Sequence, residues 1–186
     1  MRRLLFVVPF LVLLHAPPLD ATVIVPLEFR ELVAAAPVIV HGRVVDVRAG
    51  WVEGRRRVET IVTLQAAEYL KGRLGEEITF RVPGGQIGRY RTIMIGAPEF
   101  SPGDEVVLFL NAAGPDAYVY GLSLGLFRVV TDETSGRRVV IPPPVMAKLL
   151  GDAEVVIRGD RARQPLAVDA FKETVRQTIA SQGGAR

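Results

Sequence analysis

Apolar residues follow two different periods along this chain, and the change of period divides it. Leu27 to Ala36 is a run of helix formers with acids in its first turn, ended by Pro37, which predicts a short helix. From Val38 to Val47 the texture turns β-branched and dense, with Gly42 in the middle, where a glycine marks a bulge or sharp bend. A turn is expected over Ala49 to Gly54. Val58 to Ala66 then alternates, with Val58, Thr60, Val62, Leu64 and Ala66 on one face. The two runs predict a long hairpin of half-buried strands. The alternation resumes through Ile78, Phe80 and Val82, and Pro83-Gly84-Gly85 turns the chain.

Tyr90 to Ile95 reads as a further strand, followed by a loop over Pro98 to Gly103. Glu105 to Leu110 is apolar on both faces, the signature of a central, fully buried strand. Tyr118 to Tyr120 and Leu126 to Val130 add two short strands, and Arg137 to Ile141 an edge strand. Pro142-Pro143-Pro144 must be extended, and Val145 to Leu150 reads as one or two helical turns. Val168 to Ile179 places Phe171, Val175 and Ile179 four residues apart, an amphipathic helix whose stripe packs on the preceding strands. Short, regularly spaced strands with turn chemistry between them indicate a sandwich or barrel.

The N-terminus follows another rule. Arg2 and Arg3 precede an apolar run from Leu4 to Leu14, then Pro17, Pro18 and the small residue Ala21. That order matches a secretory signal peptide, and the run is about half the roughly 20 residues a membrane span needs. Cleavage is expected after Ala21, making Thr22 the first mature residue, because cutting after Ala16 would leave Pro17 at the terminus. The expected organisation is a signal peptide over 1–21, a barrel domain over 22–141, and a Pro-rich connection with a C-terminal helix over 142–186. The protein is expected to be exported, to the periplasm or beyond, with no membrane contact after cleavage.

The 165 residues that remain suffice for one domain, burying roughly 70% of the surface exposed by the unfolded chain. There is no cysteine, so disulfide stapling is absent, which points to a bacterial-type exported protein. The formal charge of +3 falls to +2 when Arg2, Arg3 and Asp20 leave, and the basic residues are scattered. A nucleic-acid footprint needs clustered charge, so no nucleic-acid partner is expected.

Candidate chemistry is sparse. His41 is the one histidine of the expected mature chain, without a second histidine or cysteine to share a metal, and the expected metal and cofactor are none. No serine lies in a nucleophile-elbow context. Gly84-Gly85-Gln86-Ile87-Gly88 leads into a strand pattern rather than the helix a phosphate loop requires. Arg158-Gly159-Asp160 is expected in a turn. Acids are spread singly, and no catalytic residue is assigned. Candidate binding residues are Trp51, beyond the end of the first strand; Arg55, Arg56 and Arg57, a solvated hairpin tip; and Thr22, whose α-amino group cleavage would free.

Two stretches carry a family resemblance. Pro37-Val-Ile-Val-His-Gly-Arg-Val-Val45, Thr60 to Ala66, Tyr69-Leu-Lys-Gly72 and Ile78-Thr-Phe80 resemble the barrel opening of the netrin-like module, which includes the tissue inhibitors of metalloproteinases. The resemblance implies an all-β, OB-like five-stranded or slightly larger barrel between a short N-terminal helix and a C-terminal helix. Val23 to Val130 also resembles a group of exported bacterial proteins without an assigned function, through Lys71-Gly72, Gly84-Gly85, Pro102-Gly-Asp-Glu-Val-Val-Leu-Phe-Leu110, Gly121 and Gly125-Leu-Phe127. The animal inhibitors hold the protease zinc through a disulfide-locked N-terminal cysteine. This chain has none, so that mechanism does not carry over. These readings imply a non-enzymatic exported binding module contacting a secreted or envelope protein such as a protease. The alternatives are an envelope structural protein without a small ligand, or an exported hydrolase.

Mass spectrometry of the protein recovered outside the cytoplasm is expected to find a chain starting within a few residues of Thr22. An intact Met1 on that material would contradict the signal reading.

Overall fold

The computed structural model describes residues 28–52, 54, 56–113, 116–143, 149–150, 153–154 and 164–183. Met1 to Ala21, Thr22, Arg55 and Arg158-Gly159-Asp160, where a turn is expected, lie outside them.

Helix α1 (Phe29–Ala35) starts at a capping box between Glu28 and Glu31 and buries Phe29, Leu32 and Val33. Two strands of fifteen residues follow, β1 (Val38–Val52) and β2 (Arg57–Lys71), paired antiparallel along their whole length. Strand β1 therefore runs on through the residues expected to turn. Alternation weakens after Val47 because the end of this ribbon stands clear of the core, yet its backbone groups still find partners across the pair.

Strand β3 (Glu77–Pro83) pairs with β2, and a small hairpin of β4 (Gly85–Ile87) and β5 (Tyr90–Thr92) comes next. The strand expected over Tyr90 to Ile95 thus ends at Thr92. Ile93, Met94 and Ile95 are consecutive apolar residues, which no half-buried strand can place on one face. Strands β6 (Glu105–Ala113), β7 (Asp116–Val119), β8 (Leu126–Thr131) and β9 (Arg138–Ile141) complete the main sheet with β12 (Leu166–Ala167). Leu149–Leu150 and Ala153–Glu154 form the antiparallel pair β10 and β11. Leu149 and Leu150 are therefore extended, not helical; Val145 to Lys148 lie outside the described residues. The chain continues into helix α2 (Val168–Gly183).

The pairing order β1-β2-β3-β7-β6, with β6 returning to β1, closes a five-stranded ring. This is an all-β, OB-like barrel: the strand pattern predicts a sandwich or barrel, and the family resemblance implies the OB-like form. Five is odd, so the strands cannot all alternate in direction around the ring, and one pair must be parallel. It is β3 with β7, joined at Phe80–Ala117 and Arg81–Tyr118. Strand β6 pairs along one edge with β1; its other edge meets β8 first and β7 further on. From there β8, β9 and β12 continue outside the ring.

The two faces of β6 explain its unbroken apolar run. Val106, Leu108 and Leu110 point into the barrel with Val40, Val44, Val62, Leu64, Ile78 and Phe80. Val107 and Phe109 point out, into a second core with Phe29, Phe127, Phe171 and Val175 beneath the two helices. Four phenylalanines meet in that outer core; the Phe29 ring stands edge-on to Phe109, Phe127 and Phe171 at 5.7–6.1 Å.

Two glycines are demanded by close backbone approach. The register of β1 against β2 shifts between His41 and Gly42, and a Cβ on Gly42 would lie 2.4 Å from the Gln65 carbonyl oxygen. Gly72 has φ +60°, and a Cβ there would sit 2.5 Å from the Pro37 carbonyl oxygen. Beside it, Lys71 donates from Nζ to the carbonyls of Val33 (2.7 Å) and Ala34 (2.9 Å), where α1 lacks internal partners. The Lys71-Gly72 pair therefore fastens the first helix to the barrel.

Leu108 is fully buried in the barrel core. Replacing it with alanine is expected to lower unfolding free energy by about 2–5 kcal/mol in urea titration, the range for buried leucine. A loss under about 0.5 kcal/mol would contradict a close-packed barrel interior.

Candidate functional site

Connecting parallel neighbours requires a long crossover, and here that crossover builds the most exposed apolar feature of the described residues. After β3 the chain leaves the ring, forms the β4–β5 hairpin, and returns over Ile93–Asp104 before entering β6. The hairpin is fastened to β2: Thr60 Oγ1 donates to the Gly84 carbonyl (2.9 Å), and the Val58 amide donates to Thr92 Oγ1 (3.0 Å). Phe100 anchors the return by standing edge-on to buried Phe80 at 5.3 Å. Between these anchors Ile93 is 71% exposed and Ile95 86% exposed, with Met94 also open to water. A groove of about 410 Å³ runs beside them, walled by Val82, Pro83, Gly84, Thr92, Met94 and Phe100.

Trp51 reaches the same end of the molecule. It lies inside β1, not beyond it, and is half-buried, with its ring edge-on to Tyr90 at 5.3 Å. The Arg89 guanidinium lies over the Tyr90 ring, 5.2 Å from its centroid, and donates to the Tyr90 hydroxyl at 3.1 Å. Arg91 lines the groove. Trp51, Tyr90 and Arg89 thus form one cluster on β1 and the β4–β5 hairpin, while Arg91 shares the groove wall with Ile93.

The arginines expected at the hairpin tip separate into different roles. Arg56 is exposed on the turn. Arg57 is not a purely solvated charge: it donates to Glu59 at 3.1 Å, and Glu59, only 3% exposed, also faces Arg81 at 3.6 Å. Arg81 bonds Asp116 at 2.8 Å, and this bond above all raises its pKa. Two guanidiniums thus balance the buried Glu59 carboxylate, as its burial requires. Thr22 and Arg55 lie outside the described residues.

His41 stands on the outer face of β1, 6% exposed, with Nε2 2.6 Å from Glu105 Oε1 on β6. Its cross-strand neighbour on β2 is Glu68, which accepts from Lys172 (2.8 Å) and Arg176 on α2. The Lys172 hydrogen bond leads the lowering of the Glu68 pKa. Glu105 also accepts from Arg43 (3.2 Å) and Arg138. Burial first, then the charges of Lys172, Arg138 and Arg43, push the His41 pKa down to about 4, against an opposing pull from Glu68. Neutral His41 therefore donates from Nε2 to Glu105, leaving Nδ1 as the unprotonated nitrogen. Nδ1 is buried and makes no hydrogen bond. A base must reach its substrate's proton, and this nitrogen is closed off from water. Among the described residues, no three His, Cys, Asp or Glu side chains come together in a way that could hold a metal ion.

The class defined here is a small OB-like barrel whose crossover displays an apolar tip beside a groove that Arg91 and Phe100 help to line. No protein-family profile, curated protein or solved structure matches the chain.

The isoleucine tip and its groove were missed by sequence reasoning, although the adjacency of Ile93, Met94 and Ile95 was a usable signal. The His41–Glu105 pair spans 64 positions, and no local pattern joins them.

His41 links stability to pH. Its folded-state pKa lies below the ordinary 6.5, so the stability that its neutral form contributes is complete above pH 6.5. It is lost as pH falls through that value toward 4, up to about 3 kcal/mol in all. Urea titrations between pH 7 and 4.5 are expected to show this decline in the wild type and a flatter profile in His41→Gln. Parallel profiles would contradict the assignment.

Proposed function

We propose that this chain is a non-enzymatic, exported binding module that grips a secreted or envelope protein with the Ile93–Ile95 tip and the groove beside it. The carrying observation is the exposure of Ile93 and Ile95, 71% and 86%, on a loop pinned at both ends. Two β-branched side chains held in water gain free energy only when something covers them, and contiguous exposed apolar surface marks such contact sites. Rigid anchors at Thr60, Thr92 and Phe100 mean that little ordering entropy is lost on association. OB barrels bind along one sheet face and its flanking loops, which agrees with a tip at one end of the ring.

The arginines narrow the partner's chemistry. Arg91 lines the groove beside Ile93, and Arg89, Tyr90 and Trp51 cluster on the hairpin that precedes the tip. A matching surface would offer an apolar cleft with an acidic rim, since aromatic and arginine side chains dominate the energetics of such contacts. A secreted protease is one such partner by the netrin-like resemblance, though not through an N-terminal cysteine. The hydrolase alternative finds little support in His41, whose free nitrogen is sealed inside.

The test compares wild type with Ile93→Asp/Ile95→Asp. Because both positions are exposed, Tm is expected to hold within about 2 °C. Retention of a partner from the secreted and envelope protein fraction is expected to fall at least tenfold, and Arg89→Glu/Arg91→Glu to weaken it separately. Equal retention of the same proteins by the isoleucine variant would overturn the reading. So would cosedimentation of wild type, but not of that variant, with protein-free anionic phospholipid vesicles.

A further inference from the structure

A second concavity of about 470 Å³ lies away from the isoleucine tip, where β1, β6, β8 and β9 come together. Three guanidiniums line it, from Arg43, Arg128 and Arg138, against two carboxylates, Asp104 and Glu105. We propose that this pocket binds a small polyvalent oxyanion, a polycarboxylate or phosphorylated metabolite, through these three arginines.

Each arginine is already held in place by the protein. Arg43 donates to the Gly103 carbonyl (2.9 Å) and to Glu105 (3.2 Å). Arg128 donates to Asp104 (2.9 Å) and to the Glu99 carbonyl. Arg138 donates to Glu105. A guanidinium carries five N–H donors, so these bonds fix each fork while leaving donors to address the pocket. All three side chains keep at least a third of their surface open to solvent. Arg43 and Arg128 are held through both terminal nitrogens and Arg138 through one, and the N–H donors left over on each suit a carboxylate or phosphate.

The acids do not cancel this field. Glu105 divides its carboxylate among His41, Arg43 and Arg138. Asp104 divides its own between Arg128 and the Ser101 amide. Asp132, just past the lining residue Thr131, turns its carboxylate to the amides of Thr134 and Ser135. Three fixed cations outnumber the two shared carboxylates by one, which favours an anion, and three separate forks suit a ligand that carries more than one oxyanion group.

The experiment measures the Tm of the full chain in citrate, inorganic phosphate, acetate and chloride at matched ionic strength. Citrate or phosphate at ten times its dissociation constant is expected to raise Tm by about 3 °C over chloride, with acetate close to chloride. Whichever of the two acts more strongly identifies the source as carboxylate or phosphate chemistry. Calorimetry is expected to show affinity reduced about tenfold in Arg128→Gln and in Arg138→Gln, the latter on β9 outside the ring. Circular dichroism of both variants is expected to match wild type, and Ile93→Asp/Ile95→Asp to bind the anion normally. Absence of any shift beyond chloride, or full anion affinity in both arginine variants, would overturn the proposal.

Discussion

A closed ring of five strands must contain one parallel pair, and that parity constraint governs most of this molecule. Parallel neighbours need a long connection between them, so the chain between β3 and β7 has to leave the barrel and return. It does so through the β4–β5 hairpin, the Ile93–Asp104 segment and β6. Closure also requires β1 to pair with β2 on one side and β6 on the other, which draws backbones together at Gly42 until a Cβ has no room. The same strand, β6, then closes the barrel and branches the sheet toward β8. Its apolar residues consequently serve two cores at once.

The outer core explains how the helices are oriented. Phe29, Phe127 and Phe171 meet between helices and sheet, but burial alone is non-directional. Direction comes from charged contacts around it. Lys71 fixes the end of α1, and Lys172 with Arg176 fix α2 to Glu68. His41 sits between Glu68 and Glu105, a neutral donor among five charged side chains. That position ties the packing of α2 and of strand β9 to one protonation state.

The two concavities stand on different chemistry because they stand on different parts of the fold. The groove beside the isoleucine tip is built by the crossover, which is free of the ring's alternation and can therefore expose consecutive apolar residues. The arginine-lined pocket is built where strands of the ring meet strands outside it, so its side chains come from cross-strand positions and are fixed by one another. The loop from Pro98 to Asp104 contributes to both, through Phe100 on one side and Asp104 on the other.

Much of the scaffold was legible from local pattern. Alternation in β2 and β3, the doubly apolar run of β6, the helix stop at Pro37 and the i, i+4 stripe of α2 each report a choice between water and core made residue by residue. Gly42 also announced its bend. The sequence misled where a segment leaves the core. The end of β1 stays a strand through pairing alone, and Ile93 to Ile95 looked like strand because their burial was assumed. The site was hardly legible. Trp51 was singled out, but its partner Tyr90 lies 39 positions away, and Glu105 lies 64 from His41. Sequence by itself determined which residues seek a core and where the backbone must bend, because those are local preferences of side chains and φ angles. Only the tertiary structure decided which apolar residues remain in water, which charges share a carboxylate, and which histidine nitrogen is sealed. Those outcomes depend on ring closure, which sets distances between residues that no local rule relates.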